Sequence, residues 1–344
     1  MRLPVTVVAG LASPAKTGLI EQWRVAASAP WALIIDRGED FKFPRQSAET
    51  AESLDPGIER IGGCACCTAG AALGAALRKL MRRGPWARLL VDLNGGAHPA
   101  AFVDALRAPG LSDALQLTEL VSVIDASRLD QRLAGAQRRW LTEQVQSADR
   151  VVLAGPAQWP RGEADRLAAL LAQLGGLGAF APAIEVWRAG EPLPLLTVPE
   201  SGVTGDATGG GASSGMHGAA SDPASGPAGE PLVQWLAMPG DVAGEMTGDR
   251  PRWRWLWRAS AERRFDRAKL IRCFDPLART PMIELEAVLR TERDWYRFRD
   301  SGCEPALWRR DSRVQITLDA REIHAVRERL AGLADQLKAC DLGS

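Results

Sequence analysis

Three cysteines lie in a stretch of four residues inside a glycine-flanked segment, Gly62-Gly63-Cys64-Ala65-Cys66-Cys67-Thr68. Such a segment can turn several thiolate sulfurs toward one point, and thiolate is the donor that zinc and other thiophilic ions prefer. Zinc usually takes four ligands, so water, a partner's side chain or a second copy of the chain would supply the fourth. An open fourth position suits a protein that releases its ion. Cys64, Cys66 and Cys67 are therefore predicted to be metal ligands.

This cluster has two alternative roles. Adjacent thiols could form a redox centre, although Cys-x-Cys lacks the helix-start geometry of Cys-x-x-Cys. A buried set of inert side chains is the other alternative, and it is disfavoured because the three cysteines are so close together on a glycine-flanked loop. The remaining cysteines, Cys273, Cys303 and Cys340, are scattered along the chain and are predicted to be structural.

A second segment with chemical potential is Gly10-Leu11-Ala12-Ser13-Pro14-Ala15-Lys16-Thr17. It has the spacing of a phosphate-binding loop, G-x-x-x-x-G-K-[ST], with Ala15 in place of the second glycine. In such a loop backbone N–H groups surround the phosphates, and here Lys16 would neutralise them while Thr17 held magnesium. Pro14 has no N–H and Ala15 adds a methyl group, so both changes weaken the cradle. An ordinary strand-to-helix turn is the alternative.

A third segment, Asp92-Leu93-Asn94-Gly95, ends a predicted strand. Asp92 could hold magnesium through water, and the N–H of Gly95 could contact a terminal phosphate. Ligands bind at the carboxyl ends of strands in open α/β sheets, which is where Asp92 lies, and a plain helix or turn cap is the alternative. His98 lies beside the segment and could approach phosphate or metal, although a structural histidine is the commoner case.

The elements that must position these residues follow from hydrophobic periodicity. Short apolar runs alternate with amphipathic stretches of helix length, which predicts β-α-β units and a mainly parallel α/β sheet over residues 1–198. The predicted strands are 5–9, 31–35, 88–92, 120–124 and 151–154, and the predicted helices are 19–27, 69–83, one after Pro99 and one that includes 140–147.

Residues 199–231 are dominated by glycine, alanine and serine. They cannot bury enough apolar surface to offset their ordering entropy, so we predict a disordered linker. Residues 232–344 are then a smaller α+β domain with strands at 252–258 and 313–317 and a closing helix at 323–337. Tryptophan and arginine alternate through 252–258, which favours a strand with one buried face over a platform that stacks nucleic-acid bases.

Bulk composition excludes several classes of protein. The 344 residues carry 42 basic and 42 acidic side chains, and this zero net charge argues against a general nucleic-acid binder. No apolar run reaches the roughly 20 residues that cross a bilayer, and the N-terminus lacks the features of a signal peptide. Six cysteines, three of them clustered, do not form a disulfide framework for a chain of this length. We therefore expect a cytoplasmic protein with no membrane or nucleic-acid partner.

Together the segments resemble the CobW-type GTPases, a metallochaperone family related to the GTPases of urease and hydrogenase maturation. The resemblance covers nearly the whole chain outside the linker. Its most specific part is the cysteine motif, and 92–99 is similar to the family's E-[ST]-x-G-x-A-x-P switch. Further blocks that fit the family pattern are 121–126, 143–149, 289–291 and 308–313.

The resemblance implies a P-loop NTPase-type domain with GTP at the loop, a metal at the cysteines and a C-terminal domain of the CobW kind. GTP hydrolysis to GDP and phosphate would couple to delivery of zinc or a related ion to a client protein. Lys16 and Asp92 would be the catalytic residues, and a homo-oligomer is compatible with the pattern. The implied nucleotide and Mg²⁺ ligands are Gly10, Ala15, Lys16, Thr17, Asp92 and Gly95.

The chain departs from the family in its nucleotide site. The guanine-reading N-K-x-D is replaced by Ala154-Gly155-Pro156-Ala157, so no carboxylate remains to pair with the N–H groups of the base. The family's Asn-Glu after the second strand is Asp36-Arg37 here, and its Lys-Gly in the second domain is Glu286-Ala287. The linker of many relatives is rich in histidine, whereas the linker of this chain contains only His217. We therefore predict impaired GTP hydrolysis. The alternatives are a pseudo-GTPase adaptor that binds metal and a thiol redox protein.

Overall fold

The computed structural model describes residues 2–37, 55–62, 69–135, 137–175, 182–196, 232–237, 252–280, 283–300, 302–319 and 323–343. The chain divides into two compact units. The first comprises Met1–Val198 with Leu307–Arg309, and the second comprises Pro199–Ala306 with Arg310–Ser344. The linker predicted at 199–231 and the three clustered cysteines lie outside the described residues.

The first unit is built on a parallel sheet, as the sequence predicts. Within the described residues its strands are β1 Leu3–Ala9, β2 Trp31–Asp36, β3 Ile58–Ile61, β4 Arg88–Asp92, β5 Leu115–Asp125, β6 Arg150–Gly155 and β7 Ala183–Arg188. They run in the order β3-β2-β4-β1-β5-β6-β7, and each adjacent pair is parallel. The described helices are α1 Pro14–Ala26, α2 Ala69–Arg83, α3 Pro99–Leu106, α4 Leu129–Ala134, α5 Arg138–Ser147 and α6 Arg161–Gly175.

Burial along the central strands explains this architecture. Every residue of β1 is buried, which is typical of a strand covered by helices on both faces of its sheet. Apolar side chains of β1, β4, β5 and β6 divide between two core clusters, and α1 packs on the cluster that contains Val8, Leu90 and Val123. The five strands predicted in this unit all lie within observed strands, and the α/β fold class is confirmed.

Helix α1 begins five residues before the predicted start at residue 19. Ser13 is its N-cap and Pro14 occupies the first turn, a pairing that favours helix initiation at this point. As a result Lys16 and Thr17 belong to the first turn of α1 rather than to a preceding loop.

A series of polar side chains crosses the sheet from β4 to β7. Arg88 donates from Nη1 to Thr6 Oγ1 at 2.8 Å. Arg150 donates from Nε to Glu119 Oε1 at 3.0 Å and from Nη1 to Glu185 Oε2 at 2.7 Å. Arg88 and Glu119 are each 4% exposed. The first unit therefore buries ionised groups that depend on one another for compensation.

The second unit is an antiparallel sheet with two described helices, in agreement with the predicted α+β class. The bounds of its described strands and helices are β8 Leu232–Ala237, β9 Arg252–Ser260, α7 Arg267–Ala278, β10 Ile283–Arg290, β11 Trp295–Arg299, β12 Gly302–Pro305, β13 Asp311–Asp319 and α8 Ile323–Ala339. The described strands run in the order β12-β11-β10-β13-β9-β8.

Two tryptophans of β9, Trp255 and Trp257, lie in the core of this unit. Trp255 is 1% exposed and Trp257 is fully buried, so neither indole is open to stack on a nucleic-acid base. The prediction of a strand with a buried tryptophan face is confirmed for these two residues. In the ranges that the structure describes, no helix is long and apolar enough to cross a bilayer.

Candidate functional site: the carboxyl edge of the parallel sheet

The cysteine cluster joins β3 to α2. Strand β3 ends at Ile61 and α2 begins at Ala69, and residues 63–68 between them lie outside the described part of the chain. The segment leaves the carboxyl end of β3, which is the sheet edge at which β1 and β4 also end. Only β2 separates β3 from β4, a spacing of about 10 Å between strand axes. The end of β3, after which the cysteine segment follows in sequence, therefore lies close to the strand that carries Asp92.

The loop that follows β1 requires glycine at its first position. Gly10 has a φ of 127°, a conformation that L side chains rarely adopt. A Cβ atom at this position would lie 2.1 Å from the carbonyl oxygen of Val123 in β5. The backbone of the loop thus lies directly on the neighbouring strand, and only glycine fits.

The structure brings together Lys16 and Asp92, which the sequence analysis singled out from separate segments. Lys16 Nζ lies 2.7 Å from Asp92 Oδ1 and donates to the carbonyl oxygen of Gly10 at 3.1 Å. It also donates to the carbonyl oxygen of Leu93. Lys16 is 3% exposed, whereas the side chain of Asp92 is 21% exposed. The ammonium group is therefore held between the loop after β1 and the end of β4.

The first turn of α1 satisfies part of its own hydrogen-bonding capacity. Ser13 Oγ accepts from the N–H of Lys16 at 3.2 Å, and the N–H of Thr17 donates to the Ser13 carbonyl at 3.2 Å. Pro14 contributes no N–H. The side chain of Thr17 is exposed, and Ala15 packs against the apolar cluster beneath α1. A phosphate at this helix end would compete with Ser13 for a backbone donor.

The segment that follows β4 lies against the loop. A Cβ atom at Gly95 would be 3.0 Å from Leu11 Cα and 3.2 Å from the Ala12 nitrogen. The N–H of Leu93 donates to the carbonyl oxygen of Val8 at 3.0 Å. The predicted nucleotide residues Gly10, Lys16, Asp92 and Gly95 therefore converge at one place on the sheet edge.

Helix α5 holds the same segment from its other side. Gln144 Nε2 donates to the carbonyl oxygen of Gly95 at 3.2 Å. His98 Nδ1 lies 2.7 Å from Glu143 Oε1, and its ring centroid is 5.0 Å from that of Trp140. Sequence reasoning assigned no role to Trp140, Glu143 and Gln144. Their i, i+3, i+4 spacing was the available signal, because it places all three on one face of a helix.

The segment at the carboxyl end of β6, residues 154–160, contains no carboxylate that could pair with a guanine base. Its sequence is Ala-Gly-Pro-Ala-Gln-Trp-Pro. Trp159 is buried, and its carbonyl oxygen accepts from Arg188 Nε at 3.2 Å. Arg188 Nη1 also pairs with Glu191 Oε1 at 3.2 Å. The carboxylate of Glu191, which follows β7, is thus engaged by the guanidinium of Arg188.

Comparison with known proteins agrees with this geometry. The family model for the nucleotide-binding domain of CobW, HypB and UreG proteins matches residues 4–175, half of the chain. The chain belongs to this family. The match spans β1 through α6, so the CobW-type domain includes the loop at Gly10, the cysteine cluster and the segment after β4.

Two curated relatives of this CobW-type chain are zinc chaperones. Zinc chaperone CobW of Pseudomonas aeruginosa is 27% identical over 225 residues, covering 57% of this chain and 59% of the relative. Zinc chaperone YeiR of Escherichia coli K12 is 29% identical over 126 residues, covering 36% of each protein. The chain thus spans about three fifths and about a third of the lengths of these relatives.

Among solved structures, the Zn(II)-bound YjiA GTPase of Escherichia coli is similar over 97% of this chain and 99% of its own. The TM-score is 0.45 and the sequence identity is 13%. Among the described residues of the present chain, no group of three or more histidine, cysteine, aspartate or glutamate side chains is arranged to hold a metal ion.

Proposed function

We propose that this CobW-type protein binds zinc through Cys64, Cys66 and Cys67 and delivers it to a client protein in the cytoplasm. Three thiolates suit zinc, and both curated relatives are named zinc chaperones. The observation that carries the proposal is the shared sheet edge: β3, after which the cysteine segment begins, is separated from the strand of Asp92 only by β2. We expect a ligand that moves the segment after β4 to influence the metal ligands from this edge.

The nucleotide part of the proposal is a weakened site for a magnesium nucleotide. Lys16 would contact the phosphates, Thr17 and Asp92 would support Mg²⁺, and Gly10, Ala15 and Gly95 would line the cradle. Bound Mg²⁺ would neutralise the phosphate charge. Because Lys16 already contacts Asp92 and two carbonyl oxygens, a nucleotide must replace these contacts. Together with the missing donor at Pro14, this supports impaired binding and hydrolysis.

Base selectivity should be nearly absent. We expect GTP and ATP to bind with affinities that agree within about tenfold, because a guanine N–H donor finds no carboxylate on 154–157. Competition of unlabelled GTP and ATP against a fluorescent nucleotide, in the presence of Mg²⁺, measures the ratio. A preference for GTP of a hundredfold or more would show that another residue reads the base.

Zinc binding should depend on the clustered cysteines at 64–67 and not on the three scattered cysteines of the second unit. Replacing Cys64, Cys66 and Cys67 with serine should remove about one equivalent of zinc, measured by anaerobic titration and elemental analysis. The matched control replaces Cys273 and Cys303 with serine and the buried Cys340 with alanine, and it should retain that zinc. Equal zinc content in the two triple variants would contradict the assignment.

A pseudo-GTPase that binds metal and docks on a target is the second candidate function, and the Ser13 contact to the Lys16 N–H favours it. Zinc binding without saturable binding of nucleotide at millimolar concentration would support this candidate. The third candidate is a thiol redox protein. Zinc that shields Cys66 and Cys67 from thiol reagents would exclude it, whereas reversible disulfide cycling without metal would support it.

A further inference from the structure

Two cysteines of the second unit are in contact although 67 residues separate them in sequence. Cys273 lies on α7 and Cys340 immediately follows α8, and their Sγ atoms are 3.6 Å apart. Cys340 is 2% exposed, whereas Cys273 is partly accessible to solvent. One sulfur is thus open to small reagents, and the other is packed against it from inside the core.

The backbone around Cys340 is fixed by several hydrogen bonds. The N–H of Asp266 donates to the Cys340 carbonyl at 2.9 Å, and the Cys340 N–H donates to the carbonyl oxygens of Gln336 and Leu337, each at 3.1 Å. The N–H of Leu342 donates to the carbonyl oxygen of Arg264 at 2.8 Å. These contacts attach the end of α8 to the segment that leads into α7, so the two thiols remain neighbours.

The geometry is close to that of a covalent pair. A disulfide requires an S–S distance of about 2.05 Å, so the sulfurs must approach by about 1.5 Å, which side-chain rotation can supply in part. Two thiols provide half of a tetrahedral zinc site, and the described residues contain no group of three metal-binding side chains. Oxidation is therefore the chemistry that this pair suits better.

The two thiols differ in their exposure to solvent. Burial raises the pKa of Cys340 to about 12, with a further contribution from the contact with Cys273. Cys340 is therefore a neutral thiol at physiological pH. Because a peroxide reaches a partly exposed sulfur more readily than a buried one, the more accessible Cys273 is the sulfur that reacts first.

We propose that Cys273 and Cys340 are a site of reversible oxidation, at which a hydroperoxide such as hydrogen peroxide forms a disulfide between α7 and the end of α8. The Cys273 thiolate attacks one oxygen of the peroxide; an S–O bond forms, the O–O bond breaks, and the leaving hydroxide takes a proton to become water. Cys340 loses its proton and attacks the Cys273 sulfenic acid; the S–S bond forms, the S–O bond breaks, and a second water leaves. The sulfurs supply the two electrons that reduce one peroxide to two waters.

The consequence of oxidation is a closed loop in the second unit. The bond would enclose the chain from Cys273 to Cys340, which contains β10 through β13. Such a cross-link stabilises mainly by restricting the unfolded chain, and the effect grows with loop length. The proposal is independent of the zinc cluster, because its residues belong to a different unit.

The test uses the full chain with Cys64, Cys66 and Cys67 replaced by serine, so that those thiols do not consume the oxidant. The reduced protein is treated with equimolar hydrogen peroxide, alkylated, digested and analysed by mass spectrometry without reductant. We expect a cross-linked peptide that joins Cys273 to Cys340, lower in mass by two hydrogen atoms and absent after reduction. The melting temperature of the second unit should rise by roughly 5 °C or more on oxidation.

The control variant is Cys303→Ser, which removes the third thiol of the same unit and should form the cross-link normally. Cys273→Ser should abolish it, and because Cys273 is partly exposed this variant should fold even if Cys340→Ser does not. The proposal is overturned if Cys273 is oxidised to sulfinic or sulfonic acid while Cys340 stays reduced. It is also overturned if Cys303 becomes the partner or if oxidation lowers the melting temperature.

Discussion

Replacing Lys16 with methionine should weaken binding of a magnesium nucleotide about 10- to 100-fold, because a hydrogen bond to a charged group contributes about 1.5–3 kcal/mol. Methionine keeps the length and apolar stem of lysine but removes the ammonium group that the fold holds beside Asp92. Titration of a fluorescent nucleotide in the presence of Mg²⁺ measures the loss. Any residual hydrolysis should fall with binding, because Lys16 would also stabilise charge that develops on the transferred phosphoryl group.

A lysine elsewhere in the same unit provides the control. Lys79 lies on α2 and pairs with Glu59 at 3.5 Å, but its side chain is 54% exposed. Lys79→Met should leave nucleotide affinity unchanged and should alter stability by less than about 1 kcal/mol. Equal affinities for the wild type and Lys16→Met would mean that nucleotide, if it binds, does so away from the Gly10–Thr17 loop.

Truncating Glu119 should destabilise the first unit by about 3–5 kcal/mol, because the change removes a buried carboxylate that compensates the positive charge of Arg88 and Arg150. Glu119 accepts from Arg150 Nε, and both Glu119 and Arg88 are almost inaccessible to solvent. Burial lowers the pKa of Arg88, and the negative charge of Glu119 opposes that shift. Glu119→Ala therefore removes the carboxylate that compensates two guanidinium groups.

Urea unfolding followed by hydrogen exchange in peptides of the first unit measures this effect separately from the second unit. The matched control is Glu185→Ala, which removes the other carboxylate bound to Arg150. Because the Glu185 side chain is 42% exposed, we expect a change of about 1 kcal/mol or less. Similar losses for the two variants would show that burial of Glu119 is not the deciding factor.

The contacts of α5 give a physical route by which the state of the phosphate loop could reach other parts of the domain. Gly95 packs against Leu11 of the loop, and Gln144 binds the carbonyl oxygen of the same glycine. A nucleotide that moved Gly95 would therefore change both contacts. Strand β3, which precedes the cysteine segment in sequence, ends at the same sheet edge as β4.

Local patterns were sufficient to predict the fold class and the positions of most elements in the first unit. Strands such as β1 and β6 are short continuous apolar runs, and buried parallel strands have this pattern whatever their neighbours are. The strands that the sequence analysis missed, β3 and β7, lie at the two edges of the sheet and contain charged residues. An edge strand needs fewer apolar side chains, so its periodicity is weaker.

By itself, then, the sequence determined whatever depends on neighbouring residues: the cysteine motif, the spacing of Gly10 to Lys16 and Thr17, the absence of a carboxylate from 154–157 and the alternation of strands and helices. Only the tertiary structure decided which distant side chains meet. Lys16 with Asp92, Gln144 with Gly95, and Cys273 with Cys340 are brought together by strand order and helix packing. Strand order and helix packing depend on long-range burial of apolar surface over the whole unit, and no short stretch of sequence specifies them.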